Sequence, residues 1–154
     1  MANLVFLAIE AEIKSGTYLL YDCACGTGGM LTVGEETLTA IGAKRGQQVK
    51  CLLYGQEINP ETYAVCKADM LLKGEGESAD QIVGGAEWST LSHDAFPAQE
   101  FDFMLANPPY GKSWKKDLEA MGGNTNAPSI MIGREMRRHG ARGGVIPARN
   151  AVQD

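Results

Sequence analysis

The residues best suited to chemistry in this 154-residue chain are Asn107-Pro108-Pro109-Tyr110, which follow the apolar run Phe101 to Ala106. Consecutive prolines stiffen the backbone and turn a carbonyl outward beside the Asn107 amide oxygen. Two acceptors facing one cavity can take both protons of a planar amino group. They draw the lone pair of its nitrogen out of conjugation, so that the nitrogen can attack an electrophile. Tyr110 can stack on the ring that carries that amino group. The plainer alternative is a strand-terminating turn, with Asn107 as a side-chain cap and Tyr110 as a surface aromatic.

Two further features support a ligand. The run Tyr18-Leu19-Leu20-Tyr21 ends in Asp22 and the turn Cys23-Ala24-Cys25-Gly26-Thr27-Gly28-Gly29. A second apolar run, Val49 to Tyr54, leads through Gly55 and Gln56 to Glu57. Glycines let the backbone approach a ligand closely, and an acid at the end of a second strand is placed to accept two hydrogen bonds from ribose hydroxyls. Together they imply a nucleoside-bearing cofactor. The turn lacks the G-x-G-x-x-G spacing and, taken alone, is compatible with an ordinary tight turn.

The elements that must position these residues alternate between strand and helix. After the glycine turn, Met30, Leu31, Leu38 and Ile41 recur at helical spacing, with Gly42 as a stop. Asn59-Pro60-Glu61 reads as N-cap, first-position proline and first-turn acid. The helix that follows should carry Tyr63, Cys66, Met70 and the Leu71-Leu72 pair to the core and end at Lys73-Gly74. Glu75 to Ala86 reads as a polar surface excursion without chemistry, Trp88 to Leu91 as a short strand, and Phe101 to Ala106 as a stronger one. Helices between short apolar strands imply a parallel, doubly wound sheet. In such sheets ligands bind outside the carboxyl ends of the strands. Asp22 with its glycines, Glu57, Ser89-Thr90 and Asn107 would then border one crevice.

Composition narrows the function classes. With 44% hydrophobic and 21% charged residues, and 19 glycines and 6 prolines in no repeat, the chain is globular rather than disordered or collagen-like. No run approaches a membrane span, and Met1 to Glu12 has two acids and no basic region, so a soluble, cytoplasmic protein is expected. The four cysteines, Cys23, Cys25, Cys51 and Cys66, form one C-x-C and no C-x-x-C, far in sequence from His93 and His139. That argues against a zinc cage and for buried thiols, with no metal expected. A net charge of −5 argues against a chain that grips nucleic acid unaided.

The charge is uneven. Met1 to Met121 carries 9 basic and 17 acidic residues, whereas Gly122 to Asp154 carries 5 and 2. Five of the six arginines follow Gly133, and no leucine follows Gly122. We therefore divide the chain into residues 1–123 and a divergent Arg-rich tail, 124–154, with no assigned fold. Lys112, Lys115 and Lys116 around Trp114 are either contacts for DNA phosphates or a solvated loop.

The stretches YDCACGTGGML, YGQEINPETYAVCKADMLLKGEG, STLSHDAFP and FDFMLANPPYGKSWKKDLEAMGG resemble the modification (methylase) subunits of type I restriction-modification systems, which are N6-adenine DNA methyltransferases. The resemblance spans roughly Lys14 to Gly123. It implies a Rossmann-like, mainly parallel sheet with flanking helices, of which this chain supplies about the N-terminal half, S-adenosyl-L-methionine as cofactor, and methyl transfer to the exocyclic amino group of a flipped adenine. It further implies that Asp22, Gly26, Thr27, Gly28 and Gly29 cradle the methionine end, Glu57 binds ribose, Ser89 and Thr90 line the adenine, and Asn107, Pro108, Pro109 and Tyr110 are catalytic. The implied partners are DNA, a specificity subunit, a restriction subunit and a second methylase subunit.

The chain departs from the family pattern in three places. Cys23 stands where proline is usual, Met1 to Ile13 lacks the family's Thr-Pro-bearing lid, and Ser89-Thr90 stand where Asp or Asn is frequent. The Arg-rich tail does not resemble the later strands of the sheet, so a truncated gene product, with a tail arising from a shifted reading frame, is expected. Two alternatives remain open: a non-catalytic cofactor- or partner-binding fragment, and a protein-glutamine N-methyltransferase.

Overall fold

A computed structural model of the chain describes residues 5–107, 113 and 115–120. Phe6 and a 3-10 helix, Leu7–Glu12, precede strand β1, Gly16–Asp22. Then come helix α1 (Gly29–Lys44), strand β2 (Val49–Glu57), helix α2 (Pro60–Leu72), helix α3 (Gly76–Asp80), strand β3 (Ile82–Gly84), strand β4 (Phe103–Met104) and helix α4 (Lys115–Ala120).

The four strands form one sheet in the order β3-β2-β1-β4, with every pair parallel. Leu20 pairs with Leu53 on one side and with Phe103 on the other. Because side chains alternate along a strand, Leu20, Leu53 and Phe103 join one buried cluster while Tyr21, Tyr54 and Met104 join another. Burial on both faces explains why β1 reads as a continuous apolar run rather than an alternating one. The first cluster takes in Leu31, Leu38 and Ile41 of α1, Cys66 and Met70 of α2 and Ala79 of α3. On the second face Tyr21 stacks on Phe101 at 4.7 Å between ring centroids, and Tyr54 meets Phe96 edge-on at 5.2 Å. Burying each large side chain contributes about 1.5–3 kcal/mol.

Several sequence expectations change. The segment read as a surface excursion, Glu75 to Ala86, contains α3 and β3, and Ser78, Ala79 and Ile82 are buried. Its signal is weak because β3 has only three residues and depends on a close approach: a Cβ on Gly84 would lie 2.4 Å from Cγ of Tyr63. Trp88 to Leu91 is not a strand. Its polar backbone is satisfied by turns, with the N–H of Trp88 donating to the Gly85 carbonyl and the N–H of His93 to the Ser89 carbonyl.

Gly42 does not stop α1. It lies buried inside the helix against Val49, and the chain leaves the helix at Arg45-Gly46, where Gly46 has φ +68°. Leu71 and Leu72 are exposed, since Cys66 and Met70 already turn the buried face of α2 to the core. The run Phe101 to Ala106 yields only a two-residue strand, and just ahead of it the Asp102 carboxylate accepts the N–H of Leu19 at 2.8 Å while the Asp102 N–H donates to the Leu19 carbonyl at 3.1 Å. β4 forms an edge of the four-stranded sheet.

Candidate functional site

β1 delivers Asp22 to the carboxyl end of the sheet, where it is 1% exposed and its Oδ1 accepts the N–H of Ala24 at 3.0 Å. Burial pushes its carboxyl up to about 7, against the opposing pull of the Ala24 hydrogen bond, and nearby Glu57 adds to the rise.

The glycine turn is held from two sides. The N–H of Cys25 donates to the Gln56 carbonyl at 3.0 Å, and that of Gly28 to the Cys25 carbonyl at 2.8 Å. Gly26 and Gly28 have φ of +57° and +84°, a region that side chains disfavour. A Cβ on Gly28 would lie 2.8 Å from Sγ of Cys66, so the turn is pressed onto α2. A Cβ on Gly26 or Gly29 would meet nothing within 4 Å, so these two positions border open space. Thr27 is exposed between them. α1 then begins at Gly29 with no side-chain cap and no acid in its first turn. Its leading N–H groups and the positive end of its dipole are therefore available to an anion.

Glu57 ends β2 and binds backbone on both sides. Its Oε2 accepts the N–H of Gly26 at 2.8 Å and its Oε1 that of Asn59 at 2.8 Å. Asn59 caps α2 as the sequence predicts, its Oδ1 accepting from Glu61 and Thr62 at 2.9 and 3.1 Å. Each carboxylate oxygen keeps a second lone pair for a ligand hydroxyl.

Ser89 and Thr90 lie in a loop beyond β3 rather than on a strand, yet they reach the same end of the sheet. The Thr90 hydroxyl donates to the Cys23 carbonyl, next to Asp22, and Ser89 is buried. β4 pairs Tyr21 with Met104, and the N–H of Leu105 donates to the Tyr21 carbonyl at 2.8 Å. That register takes Asn107, which is exposed, to the carboxyl end of the sheet on which Asp22 lies. The Gly26 to Glu57 and Thr90 to Cys23 contacts thus unite three of the four predicted strand ends. Pro108, Pro109 and Tyr110, with Lys112 and Trp114, lie outside the described residues. Lys115 and Lys116 are exposed on α4, which the Ser92 hydroxyl joins to the loop by donating to Asp117 at 3.2 Å.

Sequence reasoning missed Gln56. Its side chain is fully buried, and its amide donates to the carbonyls of Trp88 and His93 at 3.0 and 2.9 Å. A lone amide within an otherwise apolar strand was the available signal. Cys23, Cys25 and Cys66 are buried and Cys51 is half-buried, and none of the four is in a disulfide. Cys25 is hydrogen-bonded to Cys66, which together with burial pushes its thiol up. Among the described residues no group of His, Cys, Asp or Glu is arranged to hold a metal, and no helix is long and apolar enough to cross a membrane.

The sequence model for N-6 DNA methylases matches residues 2–127 of this chain. The chain belongs to the N-6 DNA methylase family. This N-6 DNA methylase chain is 30% identical over 106 residues to the type I restriction enzyme MpnII methylase subunit of Mycoplasma pneumoniae, covering 66% of this chain and 19% of the relative. Among solved structures, the type I restriction-modification system methyltransferase subunit from Streptococcus thermophilus is 29% identical with a TM-score of 0.53, covering 74% of this chain and 22% of that one. A class I S-adenosylmethionine-dependent methyltransferase from Listeria monocytogenes shares the fold alone, at 17% identity and a TM-score of 0.59 over 88% of this chain and 40% of that one. The expected family and Rossmann-like parallel sheet are thereby borne out. The N-6 DNA methylase chain spans about a fifth of the length of the two methylase subunits.

Proposed function

We propose that this chain is part of a DNA adenine methyltransferase, the methylase subunit of a type I restriction-modification system. The observation that carries the reading is the 2.8 Å bond from Gly26 to Glu57, which holds an open-sided glycine turn against the acid of the second strand. These residues fit an adenosylated amino-acid cofactor: Gly26 and Gly29 border open space, Glu57 keeps free lone pairs, and the start of α1 is uncapped.

S-adenosylmethionine, when bound, supplies an electrophilic sulfonium methyl group. Asp22, Gly26, Thr27, Gly28 and Gly29 hold its methionine end, with the N–H groups of α1 drawn on by its carboxylate. Glu57 accepts from the ribose, and Ser89 and Thr90 line the adenine. The target is an adenine flipped from the duplex at a cost of a few kcal/mol. The Asn107 side-chain oxygen and the Pro108 carbonyl accept its two amino protons, Pro109 stiffens the turn, and Tyr110 stacks on the base. The chain's charge of −5 suits a subunit that relies on others to hold DNA. Its partners are then DNA, a specificity subunit, a restriction subunit and a second methylase subunit, in the cytoplasm.

Calorimetric titration with S-adenosylmethionine tests the reading. Binding by the wild-type chain that Glu57→Ala abolishes is the expected result, and binding indifferent to that change overturns the cofactor assignment. Methylation of a protein glutamine rather than adenine-containing duplex, in the assembled system, overturns the substrate assignment.

A further inference from the structure

Among the described residues Gln56 is the one side-chain amide with no exposure at all, and every hydrogen-bonding position on it is used. Nε2 donates to the carbonyls of Trp88 and His93 at 3.0 and 2.9 Å. Oε1 accepts from the Tyr21 hydroxyl at 3.1 Å and from the N–H of Ala95 at 3.3 Å. Three of these four partners belong to the loop that holds Ser89 and Thr90, and they bracket both residues. The backbone carbonyl of Gln56 meanwhile accepts from Cys25 in the glycine turn at 3.0 Å. One residue therefore joins the glycine turn to the loop that carries Ser89 and Thr90.

The loop depends on this amide because it makes no strand ladder from Trp88 to His93; its own backbone bonds are short-range turns onto the Gly85 and Ser89 carbonyls. Beyond those turns the Thr90 hydroxyl reaches the Cys23 carbonyl, and Gln56 supplies the bonds that set where the loop stands relative to β1 and β2. A fully satisfied buried network specifies one arrangement, whereas a partly satisfied one leaves carbonyls unpaired and the loop free to settle elsewhere.

We infer that Gln56 is a positioning residue that sets the purine-base specificity of the cofactor pocket without touching the ligand. The inference rests on the reading above, in which Ser89 and Thr90 line the adenine. Held in place, the loop's polar groups distinguish an exocyclic amino group from an oxo group on the base; released, they accept either.

The test uses the full chain and two ligands, S-adenosylhomocysteine and S-inosylhomocysteine, whose bases are adenine and hypoxanthine. The wild-type chain is expected to prefer the adenine ligand by about tenfold or more, as sites built to pair a polar group do. Gln56→Glu keeps the shape but cannot donate to both carbonyls, and should bring the ratio of the two Kd values close to one. Tyr21→Phe removes a single bond to the amide and remains informative where Gln56→Glu does not fold; it should narrow the ratio severalfold, with circular dichroism unchanged. A general loss of stability would weaken both ligands alike and leave the ratio intact. If the wild type discriminates and a folded variant discriminates equally, the inference is overturned while the cofactor reading stands. If the wild type binds neither ligand, the cofactor reading itself falls, and the inference with it.

Discussion

The backbone N–H of Gly26 and Oε2 of Glu57 are 2.8 Å apart, across 31 residues of sequence. The bond ties the glycine turn after β1 to the acid that ends β2, so the two features that suggest a nucleoside ligand form one structure. Glu57 also holds Asn59 at the start of α2, which gives it a structural role beside the proposed binding one. Glu57→Ala should therefore lower stability by roughly 1.5–3 kcal/mol, the usual range for a hydrogen bond to a charged group, and abolish S-adenosylmethionine binding. Glu57→Gln keeps one acceptor and should fall between wild type and alanine in both urea denaturation and calorimetry.

Gly28 and Gly26 should separate packing from binding. Gly28→Ala meets both an unfavourable φ and Sγ of Cys66 at 2.8 Å, and should destabilise the chain by about 1–3 kcal/mol. Gly26→Ala meets only the unfavourable φ, with no neighbour within 4 Å, and should cost about 1 kcal/mol while weakening cofactor binding by intruding on open space. Urea melts beside calorimetric titrations of the two variants check the contrast.

Asp22 should make stability fall as pH rises. Its carboxyl is pushed from 3.8 up to about 7 by burial, so between those values the folded state holds a proton that the unfolded state has released. Stability is then fullest below about pH 4 for this group and is lost through pH 7, with a slope of up to about 1.4 kcal/mol per pH unit. Glu35, also raised to about 7 by burial and by neighbouring Glu75, acts in the same direction. Urea midpoints measured from pH 5 to 8 should decline less steeply in Asp22→Asn than in wild type.

Gly84 tests the strand that local reading overlooked. A Cβ there would lie 2.4–2.6 Å from atoms of Tyr63, so Gly84→Ala should destabilise by about 1–3 kcal/mol. Tyr63→Ala should recover much of that loss in the double variant, a coupling that only direct contact produces. Additive losses in thermal melts would show that β3 does not pack beneath that ring.

Asn107 is exposed and follows a strand that pairs with β1 through Tyr21 and Met104. Asn107→Ala should leave cofactor affinity within about twofold while methylation by the assembled enzyme falls by about a hundredfold or more, as when a positioned polar group is removed. Unchanged methylation would remove Asn107 from catalysis.

The alternation of strand and helix, the Asn59-Pro60 cap, the glycine turn and the acid at Glu57 were all legible in the sequence. Each depends on local chemistry: apolar periodicity, a fixed proline φ, a side-chain cap, or glycine where φ is positive. The family resemblance, which the residue 2–127 match bears out, was carried by the same motifs. β4 was legible as part of the run Phe101 to Ala106, although only Phe103–Met104 form it, whereas β3 was not: it has three residues and pairs with a strand far away in sequence, so it leaves no periodic signal. For the same reason Gln56 passed as part of an apolar run: its partners Tyr21, Trp88, His93 and Ala95 lie at least 32 residues away. Local sequence alone therefore determined which residues are candidates to bind and react. Folding decided which of them meet, because hydrogen bonds across the parallel sheet join segments by strand order and register, neither of which any local stretch encodes.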